Sequence, residues 1–361
     1  MEIKWNTKIQ PRRGIYLSAF TQDNKILVHH ADGSGVSLVN AQSGQEDWST
    51  RVKNGCLHNI FRENENSFLI RGLDHWFRFN KNSGEYDQVA KVHSYEDFIA
   101  QYDNIALFSN LDKKKYYSCV GSTLFDWNSE KVIRDRKDGV LRPRIGYASN
   151  FFGRVEKEEI INYYTGSIST LDSFASKVDW NIVAIPNLVG GERVLKTGNG
   201  VSGFSVHSGK NIDFVYFYDW SGELRFSVPI SADLATEFVI TSCIPWGDTG
   251  NGILLIGHLR KSLEQIILIV DDVNSPTNSR ILTTKGRGDI KDFGVCSNWF
   301  VWLDVMVPGG PILATNLLDG KVEMLREGST NCYLLCNDDG VFFGDSTKGI
   351  GHLSRGTFLP E

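Results

Sequence analysis

The sequence predicts an all-β fold made of repeated antiparallel units. Four segments share one pattern, in which two strand-like runs flank a short turn that ends in glycine. The four turns are Ser43-Gly44, Ser83-Gly84, Ser221-Gly222 and Asp319-Gly320. A strand-built repeat with a period of about 40 to 50 residues is typical of a β-propeller or a related array.

The spacing of the repeats predicts the number of blades. Corresponding strands begin near residues 25, 67, 104, 201, 252, 298 and 341, and the one long interval, between 104 and 201, accommodates two blades. Eight blades would average about 45 residues and seven about 52. We therefore predict a single β-propeller domain over residues 1–361, with eight four-stranded blades and seven as the alternative.

The blades follow one another in chain order. Residues 14–20, 25–31 and 35–52 form the first blade, with Trp48 as a large buried anchor, and residues 56–92 and 98–134 form the next two. The fourth starts after residue 139 and contains a hairpin around Thr165-Gly166. The fifth covers residues 201–230. Strands at 252–257, 265–270 and 298–305 belong to blades six and seven.

The N-terminal segment, residues 3–9, has no partner within the first blade. A propeller whose repeat is offset from its chain ends closes by pairing the first strand into the last blade. We therefore predict that residues 3–9 form the outer strand of the blade made by residues 333–355, which removes an open sheet edge.

Composition narrows the class of protein. The chain is 41% hydrophobic with a net charge of −5, so it has no general attraction for nucleic acid or anionic membranes. No segment has the apolar length of a membrane span, and residues 1–14 do not resemble a signal peptide. We expect a cytoplasmic monomer without membrane association, and buried free thiols at Cys56, Cys119, Cys243, Cys296, Cys332 and Cys336.

The run AQSGQEDW, residues 41–48, resembles the tryptophan-docking repeat of the quinoprotein (PQQ-repeat) propellers. In that family a turn glycine precedes the tryptophan by four, as Gly44 precedes Trp48, and the ring packs between neighbouring blades. The resemblance implies structural roles for Gly44 and Trp48. A WD-repeat-like propeller is the second choice, although Asp47-Trp48 has the reverse order.

The same resemblance implies that a quinone enzyme would have a secretion signal, a calcium site and often a vicinal disulfide. This chain has neither the signal nor adjacent cysteines. The positions four beyond the other turn glycines are Gln88, Phe226 and Met324, so the docking motif is degenerate. We therefore predict a non-catalytic relative with no cofactor, no metal and no catalytic residues.

Other candidate motifs have structural explanations. The GxGxxG at residues 198–203 is followed by strand-like sequence, whereas a dinucleotide site needs a helix there. The eight histidines are dispersed, without metal-ligand spacing on one element. The acidic pairs Asp271-Asp272 and Asp338-Asp339 are typical of turns.

One basic segment is a candidate binding surface. Residues 112–144 contain nine basic and five acidic side chains, with aromatic residues between them, which suits a phosphate backbone or an acidic protein. A solvated loop edge is the simpler interpretation. The candidate partner-binding residues are Lys113, Lys114, Lys115, Tyr116, Tyr117, Arg134, Arg136, Lys137, Arg142 and Arg144.

Three functions remain open at this stage. The first is a non-enzymatic scaffold that binds a protein partner through one rim or the central channel. If the source is bacterial, the partner could be a toxin that this protein neutralises. The second is an enzyme, a hydrolase or lyase, with a site at one end of the channel. The third is a nucleic-acid binder that uses residues 113–144, whose affinity would fall steeply with salt.

Overall fold

The structure is a computed structural model of the 361-residue chain. It describes residues 2–9, 15–30, 33–53, 57–72, 75–91, 96–102, 105–112, 118–126, 128–136, 153–156, 159–162, 168–170, 179–181, 202–208, 211–218, 224–247, 252–277, 279–288, 290, 292–304, 310–327, 333–347 and 350–357.

Strands make up nearly all the regular structure in this part of the chain. One four-residue helix, α1 (Ala232–Ala235), was not expected from the sequence. The strands are β1 (Glu2–Ile9), β2 (Ile15–Phe20), β3 (Lys25–His30), β4 (Gly35–Asn40), β5 (Glu46–Arg51), β6 (Leu57–Glu63), β7 (Ser67–Gly72), β8 (His75–Asn80), β9 (Tyr86–Lys91), β10 (Glu96–Tyr102), β11 (Ile105–Asp112), β12 (Ser118–Asp126), β13 (Lys131–Arg136), β14 (Gly153–Glu156), β15 (Glu159–Asn162), β16 (Ile168–Thr170), β17 (Asp179–Asn181), β18 (Ser202–Ser208), β19 (Asn211–Tyr218), β20 (Leu224–Pro229), β21 (Phe238–Trp246), β22 (Gly252–Leu259), β23 (Glu264–Val270), β24 (Ser279–Arg287), β25 (Phe293–Cys296), β26 (Trp299–Leu303), β27 (Ile312–Asn316), β28 (Val322–Arg326), β29 (Tyr333–Asn337), β30 (Gly340–Thr347) and β31 (Ile350–Thr357).

These strands form antiparallel sheets whose strands are consecutive in the chain. Among the described residues there are seven four-stranded sheets, β2–β5, β6–β9, β10–β13, β17–β20, β21–β24, β25–β28 and β29–β31 with β1, and one three-stranded sheet, β14–β16. The all-β prediction is confirmed. The strands group into two compact units, one with β1–β9 and β25–β31 and the other with β10–β23, and β24 crosses the boundary at residue 284.

The pairing predicted for the N-terminal segment is present. β1 runs antiparallel to β31 from Glu2 opposite Thr357 to Ile9 opposite Gly351. It therefore becomes the fourth strand of the β29–β31 sheet and covers the edge of β31. The prediction of one domain with eight blades remains a prediction.

The repeated turn forms because asparagine and glycine satisfy its backbone together. Asn40 Oδ1 accepts the N–H groups of Gln42 and Ser43, both at 2.9 Å. Gly44 then adopts φ +73°, a conformation that costs glycine little, and donates its N–H to the Asn40 carbonyl. The turns at residues 80–84 and 316–320 repeat this arrangement with φ +70° and +77° at their glycines.

Apolar side chains fill the spaces between successive sheets of the first unit. Leu38 and Trp48 from the β2–β5 sheet pack with Phe68 and Phe77 from the β6–β9 sheet. Equivalent cores lie between the sheets β29–β31 with β1 and β2–β5, and between β25–β28 and β29–β31. Each sheet is therefore buried on the faces that meet its neighbours, as in stacked sheets generally.

The two strands with the longest apolar runs are buried in the structure. β22 and β23, which contain the GILLIG and QIILIV runs, are buried at nearly every position. By contrast, β5, the strand that contains Trp48, begins with the polar residues Glu46 and Asp47, and Ala41 lies in the turn between β4 and β5. Polar residues at the start of an outer strand hide its beginning from the pattern.

Candidate interaction surface

Trp48 and Thr50 join two sheets through three contacts. The Trp48 ring packs against the Gly84 turn of the next sheet, and its indole N–H donates to the Lys81 carbonyl at 2.7 Å. Two residues later, Thr50 donates its hydroxyl to the Gly84 carbonyl at 2.8 Å. A Cβ atom on Gly84 would lie 2.6 Å from the Trp48 ring, so only glycine fits beneath it.

Trp5 repeats this arrangement one sheet earlier. Its indole N–H donates to the Ala41 carbonyl at 3.1 Å, and Thr7 donates its hydroxyl to the Gly44 carbonyl at 2.6 Å. A Cβ on Gly44 would meet the Trp5 ring at 2.5 Å. Sequence reasoning missed Trp5, although the shared Trp-x-Thr spacing of residues 5–7 and 48–50 was available to find it.

A β-bulge decides which residue of an outer strand docks on the next sheet. In β5, Leu38 pairs with Trp48 and Val39 pairs with Glu46, so Asp47 is an extra residue. The bulge turns Trp48 to the face that carries Leu38 and the intersheet core. Lys4 is the corresponding extra residue before Trp5 in β1.

Met324, like Trp48, follows its turn glycine by four residues, but its side chain does not dock on the next sheet. No bulge precedes it, so Glu323 lies opposite the buried Ala314, and Met324 pairs with Leu313 on the other face. Its side chain is 61% exposed. The bulge falls one residue later, between Met324 and Arg326. The spacing rule thus identifies the turn but not the docking residue.

The basic segment chosen from the sequence lies mostly outside the described residues. This applies to Lys113, Lys114, Lys115, Tyr116, Tyr117, Lys137, Arg142 and Arg144. Arg134 and Arg136 belong to β13, where they pair in register with Leu124 and Ser122. A bulge at Ile133 gives Arg134 the register position that Trp48 has in β5. Because most of the predicted set lies outside the described residues, its role as a binding surface remains a prediction.

The turns of the first unit form one hydrogen-bonded network, which we call the turn rim. It consists of residues 21–24, 40–45, 64–66, 80–85, 297–298, 317–321 and 338–339. Within the β25–β28 sheet, Leu317 N–H donates to the Asn298 carbonyl at 2.7 Å. Towards the next sheet, Ser297 N–H donates to Asp338 Oδ1 at 3.3 Å. These bonds fix neighbouring turns relative to one another.

The network continues through the next two sheets. Asn24 Nδ2 donates to Asp339 Oδ2 at 2.9 Å, and Arg355 bonds the carbonyls of both Asp339 and Ala41. The following link is Gln22 N–H to Glu63 Oε2 at 2.8 Å. The turn rim therefore spans four sheets of the first unit without a gap.

A buried ion pair supports the last link of the turn rim. Lys81 Nζ lies 2.5 Å from Glu63 Oε1, with 9% and 1% of their side chains exposed. The Lys81 ammonium also lies 5.5 Å from the centre of the Phe68 ring. Because the Lys81 carbonyl receives the Trp48 indole, the pair holds the docked turn in place.

Among the charged side chains of the turn rim that are exposed, most are acidic. Lys321 is neutralised by Glu323 at 2.7 Å, and next to the rim Lys25 is neutralised by Asp47 at 2.7 Å. An exposed leucine, Leu318, lies within the same set of turns. The exposed acids of the turn rim without an ion pair in this part of the chain are Asp23, Glu65, Glu85, Asp319, Asp338 and Asp339.

A buried polar cluster lies beside the docked Trp48 strand. Ser37 bonds His30 Nε2 at 3.2 Å and Ser49 at 2.8 Å. Glu46 hydrogen-bonds Ser37 as well, but burial raises the pKa of this carboxyl group more than the bond lowers it. Ser37 is fully buried, so its hydroxyl bonds stabilise the sheet interior, whereas Ser49 at the edge of the cluster is exposed.

Cys296 and Cys336 lie in the core between the β25–β28 and β29–β31 sheets. Cys296 is buried and Cys336 half-buried, and both are free thiols. Burial, with Asp338 and Asp339 nearby, raises the pKa of Cys296 to about 11, and burial also raises the pKa of Cys336. A raised pKa lowers the fraction of the reactive thiolate at neutral pH.

In the described segments, no helix is long and apolar enough to cross a membrane. In the same segments, no group of three or more histidine, cysteine or acidic residues is arranged to hold a metal ion.

Comparison with known proteins identifies the fold. No family model and no curated protein matches the chain. Among solved structures, the β-propeller domain of Cps50 (Swd1) from Myceliophteria thermophila has a TM-score of 0.54 at 9% identity, covering 99% of each chain. Oligogalacturonate lyase from Vibrio parahaemolyticus has a TM-score of 0.52 at 13% identity, covering 99% of this chain and 94% of that one.

Virginiamycin B lyase from Staphylococcus aureus is similar to the same degree, with a TM-score of 0.52 at 8% identity over 98% of this chain and 99% of that one. At such identities these similarities concern the fold alone. The predicted β-propeller fold is thereby confirmed, and the relationship to the quinoprotein group in particular remains a prediction.

Proposed function

We propose that the chain is a non-enzymatic propeller scaffold with eight blades that binds a protein partner through the turn rim. The observation that supports this proposal is the hydrogen-bonded network that connects the turns of four sheets. Because the turns are fixed before binding, their backbone loses little conformational freedom on contact with a partner. A rigid platform of this kind suits protein recognition.

Affinity purification of the tagged chain from its native lysate tests the proposal. Mass spectrometry and metal analysis of the eluate would be run in parallel. We expect one protein in stoichiometric amount and no bound metal. A bound metal with no protein partner would contradict the proposal and direct attention to an enzyme site.

A lyase is the second candidate. It is favoured by one observation, that two solved structures of similar fold are an oligogalacturonate lyase and a virginiamycin B lyase. Incubation with oligogalacturonate, followed by absorbance for unsaturated products, tests this candidate. No turnover at high enzyme concentration would reject that substrate.

The remaining hypotheses rest on the sequence alone. Nucleic-acid binding would use residues 113–144, and its test is the salt dependence of affinity for a defined duplex. Toxin neutralisation is one form that protein binding could take. The affinity purification described above would identify such a partner directly.

A further inference from the structure

The hairpin of β27 and β28 carries the two most exposed large hydrophobic side chains among the described residues. Leu318 is 60% exposed and Met324 is 61% exposed, whereas the others of this kind do not exceed 46%. Scattered single apolar residues need no explanation, but two on one hairpin do.

Neither side chain is required by the fold. Leu318 occupies the third position of a turn whose other copies carry Gln42 and Asn82, with the same hydrogen bond from its N–H to the asparagine side chain. Met324 stands where the β8–β9 hairpin has Gln88, opposite an apolar residue in each case. The scaffold thus accepts amides at both positions.

Strand register extends the apolar surface beyond Met324. Met324 lies opposite Leu313, and Val322, two residues away on the same face, lies opposite Thr315. Leu313 and Val322 are both half-buried. Leu313, Val322 and Met324 therefore form an apolar strip on one face of the hairpin. Thr315 on the same face is fully buried, Met324 is the exposed member of the strip, and Leu318 lies at the turn.

The charges around this strip are negative. Asp319 and Glu327 are exposed and form no ion pair in the described segments, and Asp338 lies in the adjoining turn of the rim. The two basic side chains of the hairpin are neutralised, because Lys321 pairs with Glu323 at 2.7 Å and Arg326 with Asp345 at 3.2 Å. Arg326 is also stacked on Phe343.

From this geometry we infer that the β27–β28 hairpin is the docking surface for a basic amphipathic segment of the partner protein, an inference that rests on the proposed function. Apolar side chains of the segment contact Leu318 and Met324, and its Lys or Arg side chains meet Asp319, Glu327 and the neighbouring turn. Charge complementarity excludes an acidic segment, and the apolar strip distinguishes this surface from a purely ionic one.

The test uses the full chain and two synthetic peptides of equal charge. One alternates leucine with lysine, and the other replaces each leucine by serine. Binding is followed by fluorescence anisotropy for the wild type and for the double variant Leu318→Asn, Met324→Gln, which copies Asn82 and Gln88. We expect the leucine peptide to bind the double variant about tenfold more weakly, and the serine peptide to bind both proteins equally weakly.

A matched control is Leu263→Asn, which removes an exposed leucine from the other unit and is expected to leave peptide affinity unchanged. A second readout is oxidation of Met324 by hydrogen peroxide, which the leucine peptide is expected to slow. Equal affinity of the peptide for wild type and double variant, or unchanged Met324 oxidation, would overturn the inference.

Affinity purification with the wild type and the double variant distinguishes a failure of this inference from a failure of the proposed function. If wild type and double variant retain the same stoichiometric protein equally well, the scaffold function stands and the hairpin is not its docking surface. If the wild type retains no protein at all, the proposed function fails, and this inference fails with it.

Discussion

Both the backbone conformation and the packing between sheets require glycine at position 84. Its φ of +70° already disfavours a side chain by about 1–2 kcal/mol, and a Cβ would also displace the Trp48 ring. Overpacking of this kind adds about 1–3 kcal/mol. Gly84→Ala should therefore lower the free energy of unfolding by about 2–5 kcal/mol, measured by urea denaturation.

Gly247 supplies the matched control for that experiment. Its φ is +85°, but a Cβ there would meet no atom within 4 Å. Gly247→Ala should therefore lower the free energy of unfolding only by the cost of the positive φ, about 1–2 kcal/mol. Equal losses in the two variants would show that Trp48 is not docked on the Gly84 turn.

Glu46 gives a pH-dependent prediction at the same scale. Burial raises the pKa of this carboxyl group in the folded chain above its ordinary value of 4.5, so folding favours the protonated form. Stability contributed by Glu46 is therefore present below pH 4.5 and lost as the pH rises through the raised folded pKa. Glu46→Gln stays neutral and keeps an acceptor for Ser37.

The expected result is that Glu46→Gln gains stability over the wild type as the pH rises from about 4 to about 8. Urea midpoints measured across this range would reveal the change. A difference between the two proteins that does not vary with pH would contradict the account of Glu46.

At the scale of elements, β1 is a strand supplied by a distant part of the chain. It contributes Ile9 and Trp5 to the core between the β29–β31 and β2–β5 sheets. A chain that lacks residues 1–9 should therefore expose the edge of β31 and lose thermal stability. A synthetic peptide of residues 1–9 added in trans should restore it, because the peptide can pair again with β31.

The control peptide carries Trp5→Ala, which removes the indole bond to Ala41 and the packing on Gly44. We expect this peptide to restore less stability than the natural one in thermal melts. Equal rescue by both peptides would mean that pairing alone, without Trp5 docking, holds β1.

The elements also show where sequence reasoning succeeds and where it ends. Period, turn glycines and apolar runs predicted the strand order and the pairing of β1, because those features are local or follow from the repeat. Bulge position was not predictable, since one extra residue reverses the faces of an outer strand without altering its composition. Trp48 and Met324, four residues after their glycines, therefore lie in opposite environments.

The same limit applies to the candidate surface. A cluster of lysines and arginines indicated residues 113–144 as a binding surface, most of which lie outside the described residues, and that prediction stays open. The turn rim was not recognised because its members are far apart in the sequence and meet only when the sheets pack. Asn40, Asn80 and Asn316, each four residues before a glycine, were the available signal.

At the scale of the whole molecule, the fold is a β-propeller and the function we propose for it is protein binding. The fold is shared with proteins of 8–13% identity, which indicates that many sequences satisfy the same stack of sheets. Function must therefore reside in the surface that the scaffold presents, and the turn rim is the rigid surface in the first unit.

Hydrogen–deuterium exchange of the chain, free and bound to the protein that copurifies with it, tests this claim most directly. We predict slower exchange in the bound chain for peptides that cover the turn rim, most strongly for residues 316–327. Protection confined to segments outside the turn rim, or no protection anywhere, would contradict the claim that this surface binds the partner.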